Sequence, residues 1–310
     1  MGSKTFKYIL KRVLLGVLTY VLVITITFWV MQMVPGSPFL SEKSPSPEVI
    51  AQRTKMWGLD KPLFVQYLLY LGRGFTFNFG ESIKYSGRLV TSMIFDGFKN
   101  SLVVGVCAAI LALILGVVLG TTASTHQNKL FDRVIMVLTT ASVAMPSFVI
   151  ALLLLYLFAV NLHWLPTSVA SGGFRAYILP IISAALYPTA YITRLTRSAT
   201  LDVLNQDYMR TAKAKGLSSR RILIKHGIRN SITPVITYFG TMFAFIITGS
   251  LVIDQVYQIP GAGRVFQTAI NGRDYPVIMG MTCLISLLLI VCTLFSDIMY
   301  KVVNPRVDFD

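Results

Sequence analysis

The sequence predicts an all-α protein that crosses a membrane six times, on the basis of its composition, its apolar runs and its charge distribution. Of the 310 residues, 54% are hydrophobic and only 13% are charged, and the mean hydropathy is +0.66. This composition is typical of a polytopic membrane protein. About 20 apolar residues are needed to cross the hydrocarbon. The predicted spans are 8–34, 100–122, 134–160, 176–195, 232–256 and 276–303.

The first predicted span follows a basic N-terminus that contains Lys4, Lys7, Lys11 and Arg12. Its apolar run is longer than the core of a cleaved signal peptide, and MVPGSP follows it instead of a small-residue cleavage site. We therefore expect an uncleaved signal-anchor helix whose N-terminus lies in the cytoplasm. Because the number of spans is even, the C-terminus is expected on the same side.

The net charge of +15 is concentrated in loops, as the positive-inside rule requires of a membrane protein. Nine Lys and Arg residues lie in 194–229, between the fourth and fifth spans. The first outer loop is also basic, but long loops count weakly in this rule. The 194–229 loop is therefore expected in the cytoplasm. Anionic lipid head groups are the expected counter-charge, and no nucleic acid partner is expected.

The largest predicted segment outside the bilayer is 35–99. It begins with GSPFLSEKSPSPE, which is typical of an extended linker, and continues with GLDKPLFVQYLLYL, which predicts an amphipathic helix. We divide the chain into 1–34, the N-terminal tail and first span; 35–99, an extracytoplasmic loop region; and 100–310, a core with five spans. The core includes a cytoplasmic loop over 198–231.

Within that loop, 207–234 is the one long polar stretch between two strongly apolar spans, DYMRTAKAKGLSSRRILIKHGIRNSITP. Asp207 is expected to N-cap a short helix, which Gly216 ends in the left-handed conformation. Ser218 is expected to cap a second helix that runs to about Asn230. These two helices would form a compact projection from the membrane.

The small residues Thr211 and Ala212 are expected on the surface of this projection, where a partner could approach closely. The run YMRTAKAKGL, followed by His226 and later by Pro234, resembles the cytoplasmic EAA loop of ABC-importer permease subunits. Arg210 replaces the Glu of the generic motif, and this variant is the one found in dipeptide and oligopeptide permeases.

The resemblance implies that the first helix of the loop is a coupling helix, which docks on an ATPase subunit. The residues implied in this contact are Asp207, Tyr208, Arg210, Thr211, Ala212, Ala214, Gly216 and Leu217. We refer to 198–231 as the coupling loop.

The resemblance extends over nearly the whole chain. PGSPF, GLDKPLFVQY and FGESIKYSG are similar to the outer segment of oligopeptide permease subunits from Gram-positive bacteria. IPGAG at 259–263 and RDYPV at 273–277 are also similar to the family, as is the closing NPRV, where Asn304 replaces the usual Asp. The implied fold is that of type I ABC-importer permeases. The implied function is the uptake of oligopeptides.

The resemblance also implies partners: a second, homologous permease subunit, two cytoplasmic ATPase subunits and an extracytoplasmic peptide-binding lipoprotein. This complex would lie in the plasma membrane of a bacterium. ATP and Mg would be held by the ATPase subunits, because the chain has no G-x-x-x-x-G-K-[ST] phosphate loop. We expect no catalytic, cofactor-binding or metal-binding residue in this chain.

Two other functions remain open from the sequence. One is a permease of the same family for nickel chelates, dipeptides or another small solute. The other is an ion-coupled carrier, which would use ionisable groups inside the membrane. Only Asp254 and Asp297 are acidic residues within the predicted spans, each near an end. We interpret both as structural residues.

A translocation path is expected around the third, fourth and fifth spans, where Pro146, Pro180 and Pro188 favour bent helices. The residues predicted to line it are Met145, Ser147, Tyr187, Tyr191, Thr248 and Ser250.

Overall fold

The computed structural model describes residues 3–35 and 47–303. In these residues the regular elements are helices, apart from one isolated antiparallel bridge between Glu81 and Leu89. The α-helices are α1 Ser3–Met33, α2 Pro47–Trp57, α3 Leu63–Thr76, α4 Val90–Thr125, α5 Leu130–Ala144, α6 Ser147–Leu154, α7 Ile178–Leu204, α8 Asp207–Ala214, α9 Ser219–Arg221, α10 Arg229–Ser231, α11 Thr233–Ile247, α12 Leu251–Val256, α13 Ala262–Asn271 and α14 Tyr275–Val303. Shorter 3₁₀ and π-helical turns connect some of them.

Five segments of the described chain are long and apolar enough to cross a membrane, and a bent helix pair supplies a sixth if it counts as one span. The five are Lys7–Met33, Val90–Thr125, Phe174–Leu204, Thr233–Val256 and Tyr275–Ile298. They correspond to five of the six predicted spans. The all-helical fold class is therefore confirmed.

The predicted third span, 134–160, is two helices that meet at an angle of 109°. α5 ends at Ala144, and the second helix begins at Ser147, after Pro146. Proline has no N–H to donate to the preceding turn, and it disfavours the helical conformation at the residue before it. Met145 accordingly has an extended backbone, with φ −85° and ψ 134°. The proline breaks this helix instead of bending it slightly.

The chain forms two compact units, and the first consists of the described parts of Met1–Asn100 and Pro260–Ile290. Its core joins residues of α1, α4, α13 and α14 with Phe79. α3 lies against α1, where the hydroxyl of Tyr20 donates to the carbonyl of Gly74 over 2.7 Å. The predicted amphipathic helix is confirmed as α3, which starts after Pro62. The predicted linker lies mostly outside the described residues.

Asp274 fastens a loop within this first unit. It is 1% exposed and directly precedes α14. Its carboxylate accepts hydrogen bonds from the hydroxyl of Ser82 and from the backbone N–H groups of Ile83, at 3.1 Å, and Lys84, at 3.3 Å. A buried carboxylate needs several donors to offset its lost hydration. These three bonds hold the 82–84 loop against the start of α14.

The second unit consists of Ser101–Ile259 and the described part of Val291–Asp308. In it α7 packs against α5, α6 and α11. The buried side chains form three apolar clusters, one of which lies inside the coupling loop. Both the coupling loop and all six residues predicted for the path belong to this unit, so it contains the candidate functional sites.

Candidate functional site in the second unit

The predicted coupling helix is present as α8, and it begins one residue before the predicted start. Gln206 occupies the N-cap position with an extended backbone, and its side chain makes no capping bond. The prediction that Asp207 is the N-cap is therefore wrong, because Asp207 is the first helical residue. Its carboxylate is 3.8 Å from the guanidinium of Arg210, and both side chains are exposed. An acid in the first turn still interacts favourably with the helix dipole.

The coupling helix ends as predicted. Gly216 has φ +75°, the left-handed conformation in which glycine has no steric penalty. Its N–H donates to the carbonyl of Lys213 over 3.0 Å, and the N–H of Leu217 donates to Ala212 over 3.3 Å. These bonds reverse the chain at once, so the second helix of the loop lies beside the first.

The second helix of the loop runs from Ser219 to Ser231, and its middle turn, Ile222–Ile228, is π-helical. The predicted helix is therefore present. Ser218 occupies its N-cap position with an extended backbone, although the side chain makes no capping bond. A π-turn accommodates one extra residue, and it shifts the side chains that follow around the helix axis.

The interior of the coupling loop is a small apolar cluster. Met209, Ala212 and Ile222 are buried, and Val203, Leu204 and Leu217 pack around them. The expectation that Ala212 lies on the surface is wrong, because positions 209 and 212 share the helix face turned towards the second helix. The exposed residues of the coupling helix are Asp207, Tyr208, Arg210, Thr211, Lys213 and Ala214.

The base of the coupling loop is joined to α7 by buried polar contacts. The hydroxyl of Thr200 in α7 donates to the hydroxyl of Ser231 in α10 over 3.0 Å, and both residues are buried. α7 is one continuous helix of 27 residues that ends only two residues before α8. The loop is therefore attached at both ends to helices that extend into the apolar part of the unit.

An ion pair that the sequence analysis did not identify connects α5 to α7. Arg197 donates two hydrogen bonds of 2.6 Å, one to each carboxylate oxygen of Asp132, which is 3% exposed. The backbone N–H of Asn128 donates to the same carboxylate over 2.8 Å. Asp132 and Arg197 are 65 residues apart, so no local pattern in the sequence could indicate the pair.

A cavity of about 740 Å³ in this unit is bounded by residues of α4, α5, α7, α11 and α12 and by the α5–α6 turn. Four residues predicted for the translocation path line it, namely Met145, Ser147, Tyr187 and Ser250. Apolar side chains make up most of the wall, and hydroxyl groups are spaced among them. A wall of this kind contacts a ligand over a wide area with few fixed polar contacts.

Tyr191 and Thr248, also predicted for the path, are not among the described residues that line this cavity. The ring of Tyr191 stacks on Tyr238, a wall residue, with 4.1 Å between the ring centroids. Thr248 is 8% exposed, and its hydroxyl donates to the carbonyl of Phe245 over 2.8 Å. Their part in a translocation path stays a prediction.

A break between α11 and α12 brings a carboxylate into the cavity wall. Gly249 has φ +86°, and a Cβ atom there would lie 2.7 Å from the hydroxyl oxygen of Ser101. That hydroxyl donates to Asp254 over 3.3 Å. Asp254 is 2% exposed and lines the cavity together with Ser101 and Gly249. Asp254 lies in the predicted fifth span, and its place beside the cavity depends on contacts that the sequence does not indicate.

Tyr257 fixes the far end of α12. Its hydroxyl donates to the carbonyl of Ala151 over 2.9 Å and lies 2.8 Å from the hydroxyl of Ser183. Because its one hydrogen is used by Ala151, Ser183 is the donor in the second bond. Burial raises the pKa of Tyr257, so the phenol stays protonated. Ser183 is itself a wall residue, so this network helps to shape the cavity.

Two family descriptions match consecutive parts of the chain. Residues 5–102 match the N-terminal part of binding-protein-dependent transport system membrane components, and residues 112–309 match the binding-protein-dependent transport system inner membrane component. Together they cover nearly the whole sequence.

Curated relatives match the chain along its full length. The dipeptide transport system permease protein DppB of Bacillus subtilis is 42% identical over 301 residues, which are 97% of each chain. The oligopeptide transport system permease protein OppB of Haemophilus influenzae is 40% identical over 304 residues, covering 98% of this chain and 99% of the relative. OppB of Escherichia coli K12 is 38% identical with the same coverage. Each of these relatives is named as a permease protein and none as an ATPase.

Two solved structures share the fold. A chain of the inward-facing MetNI methionine ABC transporter aligns with a TM-score of 0.58 at 13% identity, covering 69% of this chain and 97% of that one. A chain of an amino acid ABC transporter with histidines aligns with a TM-score of 0.51 at 16% identity, covering 70% and 95%. The helical core is therefore the ABC-importer permease fold. Taken with the matches in sequence, this shows that the chain belongs to the family of inner-membrane permease components of binding-protein-dependent transport systems.

Proposed function

We propose that this chain is a permease subunit of an ATP-binding-cassette importer that takes up oligopeptides. The observation that carries the proposal is the full-length similarity, at 38–42% identity, to permeases named for dipeptide and oligopeptide transport. The cavity supports it, since about 740 Å³ with few polar groups suits ligands of varied side chains better than one small solute. Dipeptides are the nearest alternative substrate, because a dipeptide permease is among these relatives.

In this proposal the chain supplies the membrane path and no ATP site. A second, homologous permease subunit completes the path, and two cytoplasmic ATPase subunits bind ATP and Mg. The exposed side of α8 docks in a cleft of one ATPase, and an extracytoplasmic binding lipoprotein delivers the peptide. Both termini then lie in the cytoplasm of a bacterium. The continuous helix α7 and its contacts with the loop are suited to transmit motion from the ATPase to the cavity.

Uptake of a labelled tripeptide tests the proposal. The chain is deleted from its host and restored on a plasmid, and the uptake of trialanine, dialanine and a nickel chelate is compared. We expect loss of trialanine uptake in the deletion strain and recovery on restoration. Recovery of nickel uptake with unchanged trialanine uptake would identify a different substrate class. A substitution in the phosphate loop of the ATPase subunits should abolish trialanine uptake. Uptake that survives this substitution would favour an ion-coupled carrier.

A further inference from the structure

We propose that the ion pair of Asp132 and Arg197 couples ATP hydrolysis to uptake by making α5 move together with α7 and the coupling loop. This inference rests on the proposed function and deepens it, because it names the contact that carries motion of the coupling loop to the cavity wall. Neither residue is among the described residues that line the cavity. Both are therefore positioning residues, which act on the cavity through the helices that carry them.

The pair holds two helices in a fixed relative position. Arg197 donates one hydrogen bond of 2.6 Å to each carboxylate oxygen of Asp132. A bidentate pair restricts rotation as well as distance, because its two N–H···O bonds run in parallel. The N–H of Asn128, just before α5, fixes the same carboxylate over 2.8 Å. At this point α5 and α7 therefore cannot slide or turn past each other without breaking charge-assisted bonds.

Burial makes the pair costly to separate. Asp132 is 3% exposed, and the side chain of Arg197 is 22% exposed. Where little water is present, opposite charges attract each other strongly, and separated charges do not regain their full hydration. The exposed pair of Asp207 and Arg210 in the coupling helix is, by contrast, a weak contact that water screens. The buried pair is the kind of contact that stays intact when neighbouring segments move.

α4 packs against the same turn of α7. A Cβ atom at Gly120 would lie 2.5 Å from the carbonyl oxygen of Thr193 and 3.1 Å from the backbone nitrogen of Arg197. The two backbones are therefore in direct contact, which a residue with a side chain would prevent. The turn of α7 that carries Arg197 is thus held by α4 through its backbone and by α5 through the ion pair.

The pair lies between the coupling loop and the cavity wall. Arg197 is about two turns before the end of α7, and Thr200, one turn further, is bonded to Ser231 at the base of the loop. Tyr187 in α7 and Ala144 at the end of α5 both line the cavity, each about three turns from the pair. While the pair is intact, a displacement of the loop that moves α7 also moves α5 and the wall residues of both helices.

Prolines make the cavity ends of these helices easier to deform than the paired ends. α5 ends just before Pro146, and α7 contains Pro188, and both prolines line the cavity. Proline removes a backbone hydrogen bond from a helix, so bending occurs there more readily than elsewhere. Motion that passes through the ion pair is therefore expected to change the shape of the cavity wall and to leave the contact between the helices unchanged.

Uptake and hydrolysis, measured together, test this proposal. The complex and its binding protein are purified from the host, the complex is reconstituted in lipid vesicles, and the trialanine taken up per ATP hydrolysed is measured. Asp132→Asn removes the charge and keeps the shape, whereas Arg197→Lys keeps the charge and cannot form the bidentate contact. We expect each variant to take up about tenfold less trialanine per ATP, with hydrolysis within about twofold of wild type. If uptake and hydrolysis fall together, the ratio is unchanged, the pair only stabilises the fold, and the proposal is overturned.

Asp274→Asn is the matched control for lost stability. Asp274 is a buried carboxylate of the first unit that also accepts several hydrogen bonds, so its replacement should lower the Tm as Asp132→Asn does. It should nevertheless keep the wild-type ratio of uptake to hydrolysis. The exposed Asp96→Asn makes the same exchange in α4 and should change neither quantity. An equal loss of the ratio in Asp274→Asn would show that destabilisation alone causes the effect, and it would overturn the proposal.

These outcomes are distinct from a failure of the proposed function. If the wild-type complex takes up no trialanine, or takes it up without hydrolysing ATP, the assignment as an ATP-driven oligopeptide importer fails. If wild type couples uptake to hydrolysis and both variants of the pair do so equally well, only the role of the ion pair fails.

Discussion

The coupling helix and the cavity wall belong to the same unit, yet they hold their polar groups in opposite ways. In α8 the charged residues Asp207 and Arg210 are exposed and 3.8 Å apart, while the interior of the loop is apolar. In and near the cavity wall, Asp254, Ser183 and Tyr257 are buried, and each has a hydrogen-bond partner. A surface ion pair contributes little to stability, whereas a buried polar group without its partner is strongly destabilising.

The comparison indicates where each region can change. The exposed side of the coupling helix is free to vary for docking, because little of the fold depends on it. The buried polar contacts of α4, α5, α7 and α12 cannot change singly. Three predictions test this difference, from the largest expected effect to the smallest.

Removal of one partner of the buried ion pair should have the largest effect. The Arg197 side chain is only 22% exposed, and Asp132→Ala removes its bidentate partner. The unpaired guanidinium is expected to destabilise the protein by about 3–5 kcal/mol. Thermal unfolding of the purified protein in detergent measures this as a lower Tm. The double variant Asp132→Ala, Arg197→Ala should recover part of the loss, because it leaves no uncompensated charge.

The matched control for this prediction is Asp202→Ala, which removes an exposed acid from α7 and should leave the Tm nearly unchanged. An Asp132→Ala protein that unfolds at the temperature of wild type would show that the buried contacts are no more sensitive than the exposed ones.

A substitution on the exposed side of α8 should affect docking and not folding. Thr211 is exposed, and Thr211→Arg places a long charged side chain where the ATPase is proposed to sit. We expect at least about a 30-fold weaker association with the ATPase, the scale of about 2 kcal/mol at a central interface residue. Co-purification with the ATPase measures it, and the Tm should not change. Ala212→Arg is a poorer test, because Ala212 is buried and its replacement would disrupt the loop itself.

Thr125→Arg is the control, since it makes the same exchange at an exposed residue at the end of α4, on the side of the membrane predicted to face the cytoplasm. Equal recovery of ATPase with the Thr211 and Thr125 variants would mean that this side of α8 is not the docking surface.

The smallest effect is expected at the turn that closes the coupling helix. Gly216 has φ +75° and no atom within 4 Å of a Cβ position, so Gly216→Ala introduces backbone strain of about 1–2 kcal/mol and no clash. Hydrogen exchange of the α8 amides should become roughly 5–30 times faster. Gly87→Ala is a matched control, because Gly87 has φ +77° and equally open surroundings in the outer segment. Unchanged exchange in α8 would refute the prediction.

Local patterns explain why most of the helices could be predicted. A membrane helix satisfies its own backbone hydrogen bonds, so an apolar run of sufficient length indicates a span by itself. The end of α8 could also be predicted, because glycine at position 216 favours the left-handed conformation without any contact from distant segments. The start of α8 could not be predicted to the residue. Gln206 and Asp207 are adjacent polar residues, and either of them can occupy the N-cap position, which is the last residue before the helix.

Contacts between distant segments explain the rest. Asp132 and Arg197 meet because α5 packs on α7, and Asp254 lines a cavity because Gly249 interrupts the predicted fifth span. Ala212 is buried only because the second helix of the loop folds back on the first. Each outcome depends on which face of a helix meets another helix, and a nearly uniform apolar sequence does not specify that face.

The sequence by itself therefore determined the all-helical membrane class, the position of the coupling loop and the family, because these depend on composition and on contiguous residues. The tertiary structure decided the 109° break at Pro146, the burial of Ala212 and the placement of Asp254 in the cavity wall. The physical reason is that packing and burial arise from segments far apart in the chain, whose meeting no local pattern encodes.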